Sequence, residues 1–221
     1  MSLQWGKLLL SQIRQLSFKP QCAMCERSAL DILCTDCRHQ LEDCRNLASV
    51  MRDDDLRLLA WGQYQGFLRQ ALAQLKYSQK AKIAQFLGLQ LGLAWLETQP
   101  HSFRPVVLPI PLHRVREEKR GYNQATLIAR EFCHVTGLTL TAHGLFRVRE
   151  TTAQFNLTPS ERFANVAQAF SVASQFSHQI NRKPILLLDD IYTTGATVYA
   201  ATQTLRDAGL QVVGVAVIAK A

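Results

Sequence analysis

Residues 184–219 read PILLLDDIYTTGATVYAATQTLRDAGLQVVGVAVIA, two nearly unbroken apolar runs on either side of a segment that Gly209 ends. Strands with apolar residues at almost every position are buried on both faces, and such strands lie in parallel sheets. A parallel pair needs a crossover, and residues 196–208 have the length and pattern of a crossover helix. This strand–helix–strand unit commits the chain to an α/β architecture. The remaining pattern agrees with it. LRLLAW (56–61) reads as a strand, and 66–98 as two helices that break near Tyr77-Ser78. Pro100 and Pro105 bracket a linker, followed by a strand at 106–111 and a helix over about 123–136. LTLTAHGLFRV (138–148) and AFSV (169–172) are strand-like, with a short helix near 159–166 between them. The expected fold is a twisted, mainly parallel sheet flanked by helices, with three regions: 1–50, 51–104 and 105–221.

The junction at 189–197 sets the chemistry. Open parallel sheets bind ligands beyond the carboxyl ends of their strands, where Asp189 and Asp190 stand. Thr193-Thr194-Gly195-Ala196-Thr197 then leads into a helix N-terminus, whose N–H groups and dipole favour a phosphate. Gly195 permits close backbone approach, and the three threonines add hydroxyl donors. Carboxylates repel phosphate but accept hydrogen bonds from neighbouring hydroxyls. The stretch therefore describes a cradle for a ribose 5-phosphate, with hydroxyls on the aspartates and phosphate in the threonine turn. No Gly-Lys-Ser/Thr is present, which excludes a Walker A loop.

Cys22, Cys25, Cys34 and Cys37 form CxxC–8–CxxC. Two such knuckles can close four thiolates on one zinc ion. A closed tetrathiolate has no open coordination position, so the expected Zn²⁺ is structural, and its binding would help fold a segment poor in large apolar residues. His39 and Cys44 lie close enough in sequence to be alternative ligands, whereas Cys133 falls on the helix over 123–136 and is expected in the core.

Charge is unevenly placed. Residues 1–60 carry 8 basic and 8 acidic side chains, residues 61–183 carry 15 and 6, and residues 184–221 carry 2 and 3. The whole excess lies in the middle, where an anionic partner is expected, either phosphates on a small molecule or on nucleic acid. No apolar run approaches the ~20 residues needed to span a bilayer. MSLQWGKLLLSQIRQL has a short apolar core broken by Gln4 and Lys7 and reads as an amphipathic helix rather than a signal peptide. A cytoplasmic protein is expected.

An apolar strand followed by Asp-Asp, two residues and Thr-Gly-Ala-Thr resembles the phosphoribosyl pyrophosphate (PRPP) motif of type I phosphoribosyltransferases. The wider sequence resembles the ComF/GntX family of competence and DNA-utilization proteins. It carries, in order, the zinc knuckles, LKY (75–77), PIPLHRVREEKRGYNQA (109–125), RVRETTAQFNLTPSERFANVAQAF (147–170) and the PRPP motif; Tyr122 replaces the usual Phe of RGFNQ.

The resemblance implies a type I phosphoribosyltransferase-like domain that binds PRPP, with Mg²⁺ on the pyrophosphate, and a part in the uptake or use of external DNA. It assigns PRPP contacts to Asp189, Asp190, Thr193, Thr194, Gly195, Ala196, Thr197 and Arg120. Arg114, Arg116 and Lys119, on a loop expected over the same sheet edge, could also pair with pyrophosphate. Asp189 and Asp190 would orient the ribose, and Arg147 and Arg149 would close over the leaving pyrophosphate. Gln154, Arg162 and Asn165 match the family pattern without a derivable role. Three readings follow: a transferase acting on a nucleobase or similar acceptor, a nucleic-acid accessory contacting single-stranded DNA or a competence helicase, and a PRPP or nucleotide sensor without turnover. Trp5 and Phe18, flanking the knuckles, could stack on bases in the second reading.

Overall fold

The computed structural model describes residues 20–51, 56–99, 102–149, 168–180 and 183–221. The expected N-terminal helix with Trp5 and Phe18, and the segment holding Gln154, Arg162 and Asn165 with its short helix, lie outside these residues. The chain divides into two compact units, 1–43 and 44–221.

In the smaller unit a helix, Thr35–Glu42 (α1), follows a tight knuckle. The knuckle is held by an isolated antiparallel bridge between Gln21 and Ser28 and by Cys22 N–H donating to the Arg27 carbonyl at 2.8 Å. Leu33 and Leu41 are buried beside it.

The larger unit opens with strands Arg45–Met51 (β1) and Arg57–Gln63 (β2), then helices Gly66–Tyr77 (α2) and Ile83–Thr98 (α3). Strand Val106–Pro109 (β3) leads to helices Arg114–Arg120 (α4) and Gln124–Thr136 (α5). Short strands Thr139–Leu140 (β4), Leu145–Arg147 (β5) and Phe170–Val172 (β6) precede a one-turn helix, Phe176–Gln179 (α6). The closing unit is Ile185–Tyr192 (β7), Ala196–Asp207 (α7) and Val212–Lys220 (β8), within a residue or two of the expected bounds.

Six strands form one sheet in the order β1-β2-β8-β7-β3-β4, parallel except for β1, which runs antiparallel at the edge. β7 sits in the middle, in register with β8 (Leu187 opposite Val215) and with β3 (Leu187 opposite Leu108). β5 and β6 pair separately as an antiparallel ribbon.

The sheet buries both faces. On one, Leu58, Leu187, Val215 and Val217 pack in a cluster with Val198, Ala201 and Leu205 of α7. A fully buried leucine of this kind contributes about 1.5–3 kcal/mol. Across the other face α3 and α5 approach closely because Gly88 has no side chain. A Cβ there would lie 2.5 Å from the Ile128 carbonyl oxygen, inside van der Waals contact.

Two expectations are corrected. LTLTAHGLFRV is not one strand: a turn at Thr141–Gly144 divides it between the main sheet (β4) and the ribbon (β5). Gly144 lies under the Phe176 ring, 2.2 Å from where its Cβ would stand, which fixes that turn. The basic segment expected as a loop forms α4 instead. Arg114 and Glu118, one turn apart, bond at 2.7 Å, and Gly121 ends the helix at a left-handed φ of 84°. β1 and α6 are elements the apolar pattern did not announce.

Candidate functional site

β7 does not end at its aspartates. Its ladder with β8 continues to Tyr192 opposite Lys220, whereas its pairing with β3 stops at Leu188 opposite Pro109. Asp189 and Asp190 therefore lie where β7 has lost one neighbour, at the point where the strand order reverses. That is where open α/β sheets leave a crevice.

Two segments converge on Asp190. The Lys76 ammonium, at the end of α2, lies 2.5 Å from Asp190 Oδ2. Gln124, in the first turn of α5, donates from Nε2 to Asp190 Oδ1 at 3.1 Å. Gln124 Oε1 in turn accepts from the Arg120 guanidinium, which also stands 5.9 Å from the centre of the Tyr77 ring. Tyr122 donates its hydroxyl to the Leu75 carbonyl at 2.6 Å. Asn123 caps α5 by accepting from Ala125 N–H at 2.9 Å, and its Nδ2 donates to the Ile110 carbonyl at 3.0 Å. LKY and RGYNQ, far apart in sequence, thus form one knot around a single carboxylate. Lys76 and Gln124 had no role from sequence. The only signal for them was that both fall inside the motifs that carry the resemblance.

The two aspartates are chemically unequal. Asp189 and Asp190 are 9% and 3% exposed. Burial, reinforced by the neighbouring Asp190 charge, raises Asp189 well above the ordinary carboxylate value. Burial pushes Asp190 the same way, but the Lys76 ammonium more than offsets it and holds Asp190 below that value. Asp190 is the charged acceptor, and Asp189 keeps a proton more readily.

The turn beyond them is left-handed at its glycine. Gly195 has φ 79° and ψ 1°, a left-handed conformation costly for a residue with a Cβ, and occupies the N-cap of α7. It has no side chain to fill the helix start. Thr194 Oγ1 lies 3.5 Å from Ala196 N–H, at the limit of a hydrogen bond. Thr193 is exposed, Thr194 and Thr197 are half-buried, and Ala196 is buried.

The arginines are distributed differently. Arg147 lies in β5 with its guanidinium 5.6 Å from the centre of the Phe170 ring. Burial and the nearby Arg116 lower its pKa while Asp189 raises it, so Arg147 and Asp189 share one electrostatic field. A parallel bridge between His113 and Arg147 joins the segment after β3 to the ribbon. Arg149 is exposed just beyond β5, Arg114 is paired with Glu118, and Lys119 is exposed on α4.

In the smaller unit the Sγ atoms of Cys22, Cys25, Cys34 and Cys37 all lie within 4.8 Å of one another. Tetrahedral Zn–S bonds of about 2.3 Å would set sulfurs about 3.8 Å apart. Cys25 and Cys34 already stand at 3.6 Å. Arg27 Nε donates to Cys25 Sγ at 3.3 Å and brings that thiol down to about 6. Cys34 is the N-cap of α1 and Cys37 lies in its first turn, where burial and the neighbouring cysteines push the Cys37 thiol up in the absence of a metal charge. The four cysteines could hold a metal such as zinc. Among the described residues His39 and Cys44 are not part of the cluster. Cys133 is a buried residue of α5, its thiol pushed up to about 12 by burial.

Comparison with known proteins agrees with the motif order. No family model matches the chain. Competence protein F of Haemophilus influenzae is 25% identical over 211 residues, covering 94% of this chain and 88% of that protein. Competence protein ComFC of Bacillus subtilis is 26% identical over 189 residues, 85% of this chain and 72% of its own length. DNA utilization protein YhgH of Salmonella typhi is 28% identical over 152 residues, 67% of this chain and 65% of its own. Among solved structures, orotate phosphoribosyltransferase from Aeropyrum pernix aligns over 83% of this chain and 80% of its own, with 13% identity and a TM-score of 0.36, too loose a likeness to bear on the ligand. The chain, with its knuckles and its LKY, RGYNQ and Asp-Asp motifs, is thus similar over most of its length to competence proteins F and ComFC.

Proposed function

We propose that the larger unit binds PRPP or a ribose 5-phosphate nucleotide at residues 189–197 and transfers the phosphoribosyl group, in the service of DNA uptake or utilization. The observation that carries this reading is the pairing of two unequal carboxylates with a left-handed Gly195 at the start of α7. Asp190, charged and anchored by Lys76 and Gln124, accepts from one ribose hydroxyl, and Asp189 bonds the other. The phosphate lies against the start of α7 with Thr193, Thr194 and Thr197. Arg120 and Arg147 flank the place where pyrophosphate would leave, with Arg149 beyond them. Mg²⁺ belongs to this proposal as the pyrophosphate counterion. The competence and DNA-utilization names of the relatives support the cellular role. Zinc is assigned to the four cysteines as a structural ion.

Calorimetry with PRPP and Mg²⁺ tests the reading on the wild type, Asp190→Asn and Gly195→Val. Hydrogen bonds to charged groups contribute about 1.5–3 kcal/mol, so Asp190→Asn is expected to weaken binding about tenfold to a hundredfold. Gly195→Val should weaken it further, since valine resists the left-handed φ and crowds the phosphate. Equal affinity across the three proteins would refute the cradle. A screen for pyrophosphate release across nucleobases and single-stranded DNA then separates transfer from sensing: binding without release on any acceptor favours the sensor.

A further inference from the structure

A cavity of about 800 Å³ lies at the other end of the sheet from the aspartates. Its floor is Leu59, Leu186 and Gly214, near the amino ends of β2, β7 and β8. Gly214 is held as a glycine by its neighbour: a Cβ there would meet the Arg57 carbonyl oxygen at 2.7 Å. One wall is aromatic. Trp95 and Phe103 stack with their ring centres 6.0 Å apart and their planes 26° from parallel.

The polar lining has one sign of charge. Among the described residues it includes Arg57, at the first position of β2, and Arg206, in the last turn of α7, and no carboxylate. Gln99 is 7% exposed, and its Oε1 accepts from Arg57 at 2.8 Å, which directs that guanidinium. Ligand sites generally have this make-up: a few hundred Å³ of mainly apolar surface with a small number of convergent polar groups. A sheet-packing defect would have neither the aligned rings nor the two cations.

We propose that this cavity is a second ligand site, separate from the 189–197 turn, for a planar aromatic molecule carrying a phosphate or carboxylate. The ring lies along Trp95 and Phe103, and the anion meets Arg57 and Arg206. Leu186 precedes Asp189 by three residues on β7, about 10 Å along the strand. The two sites face opposite ends of the sheet and can be mutated independently.

The probe is 1-naphthyl phosphate, with 1-naphthol as its uncharged control, titrated into the full chain by calorimetry and by tryptophan fluorescence. The phosphate ester is expected to bind and to quench emission, and naphthol to bind at least about tenfold more weakly for want of charge-assisted bonds. Arg57→Gln and Arg206→Gln should each weaken the ester about tenfold or more, with unchanged thermal melting. Trp95→Phe should keep the calorimetric signal and lose most of the quench. Gly195→Val should leave both signals intact, whatever it does to PRPP. No binding of the ester up to about 10 mM, a regime weaker than 3 kcal/mol, would overturn the proposal. So would binding that Gly195→Val abolishes while the two arginine variants leave it unchanged, since the ester would then be in the turn.

Discussion

Replacing Lys76 with Met should do more damage than removing a lysine from a helix end ordinarily does. The ammonium sits 2.5 Å from Asp190 Oδ2, with side-chain exposures of 19% for Lys76 and 4% for Asp190. At an effective dielectric of about 20 that separation corresponds to roughly 7 kcal/mol of gross attraction. Desolvation of both groups consumes much of it. Deleting one partner leaves the other's burial uncompensated, which in buried pairs costs about 3–5 kcal/mol. One-fifth exposure of Lys76 lets water approach, so we expect the lower end, about 3 kcal/mol. The loss should depend on pH, and its sign follows from the wild-type shift. Asp190 is held below its unfolded value, so the pair stabilises the fold above that value and the contribution is lost as pH falls through the lower, folded one. In Lys76→Met only the weaker hydrogen bonds from Gln124 and Asp189 oppose burial, the largest influence on Asp190, and the shift is expected to reverse. The variant should regain stability on acidification, when a proton replaces the missing cation. Urea unfolding of both proteins at pH 5 and pH 8 measures this. Lys76→Met/Asp190→Asn should recover most of the deficit, because no charge is then left buried. A loss under about 1 kcal/mol at pH 8, or one equal at both pH values, would refute the argument that Lys76 compensates a buried charge.

The remaining predictions concern the metal and nucleic acid. Elemental analysis should find about one zinc per chain, falling with Cys22→Ser or Cys37→Ser, and chelation should remove the helical signal of α1; a zinc-free protein with α1 intact would contradict the assignment. If the excess positive charge of residues 61–183 meets single-stranded DNA, affinity should fall linearly in log–log form with salt, with a slope of about −0.7 per phosphate contacted; salt-independent binding, or none at low ionic strength, would leave that charge to small phosphates.

Much of this was legible from sequence because the strongest signals are local. The runs at 185–190 and 212–219 read as parallel strands since their burial on both faces leaves no polar alternation, and β7 and β8 formed there. The break at Tyr77-Ser78 and the end at Gly209 were equally local. Other features depend on which distant segment arrives. RNLASVM mixes polar and apolar residues because β1 is an edge strand, and its alternation is too short to stand out. RVREEKR has no apolar stripe, so nothing in its periodicity announced α4, whose support is a charged pair and a glycine stop. LTLTAHGLFRV looked continuous because an apolar run does not say which sheet each half will join. The site follows the same division. Asp189, Asp190 and Gly195 were visible in one stretch of chain, whereas the unequal state of the two carboxylates depends on Lys76 and Gln124, brought in from 114 and 66 residues away.

The position of β8 has a consequence for how the sheet comes into being. It is an inner strand, paired in parallel with β2 on one side and β7 on the other, yet it is synthesised after the other described strands of its sheet. Until residues 212–220 emerge, the β1–β2 hairpin and the β7-β3-β4 layer each present a bare backbone edge with no strand between them, the kind of edge that templates association with other chains. Closure joins residues more than 150 positions apart, Leu58 to Val215 among them, so it cannot be completed as the chain grows. Nascent chains stopped before Val212 are expected to remain protease-sensitive in β2, β3 and β7, and those extended past Lys220 to become resistant there in one step. Gradual protection, beginning before β8 is made, would show that the two halves of the sheet hold together without the strand that joins them.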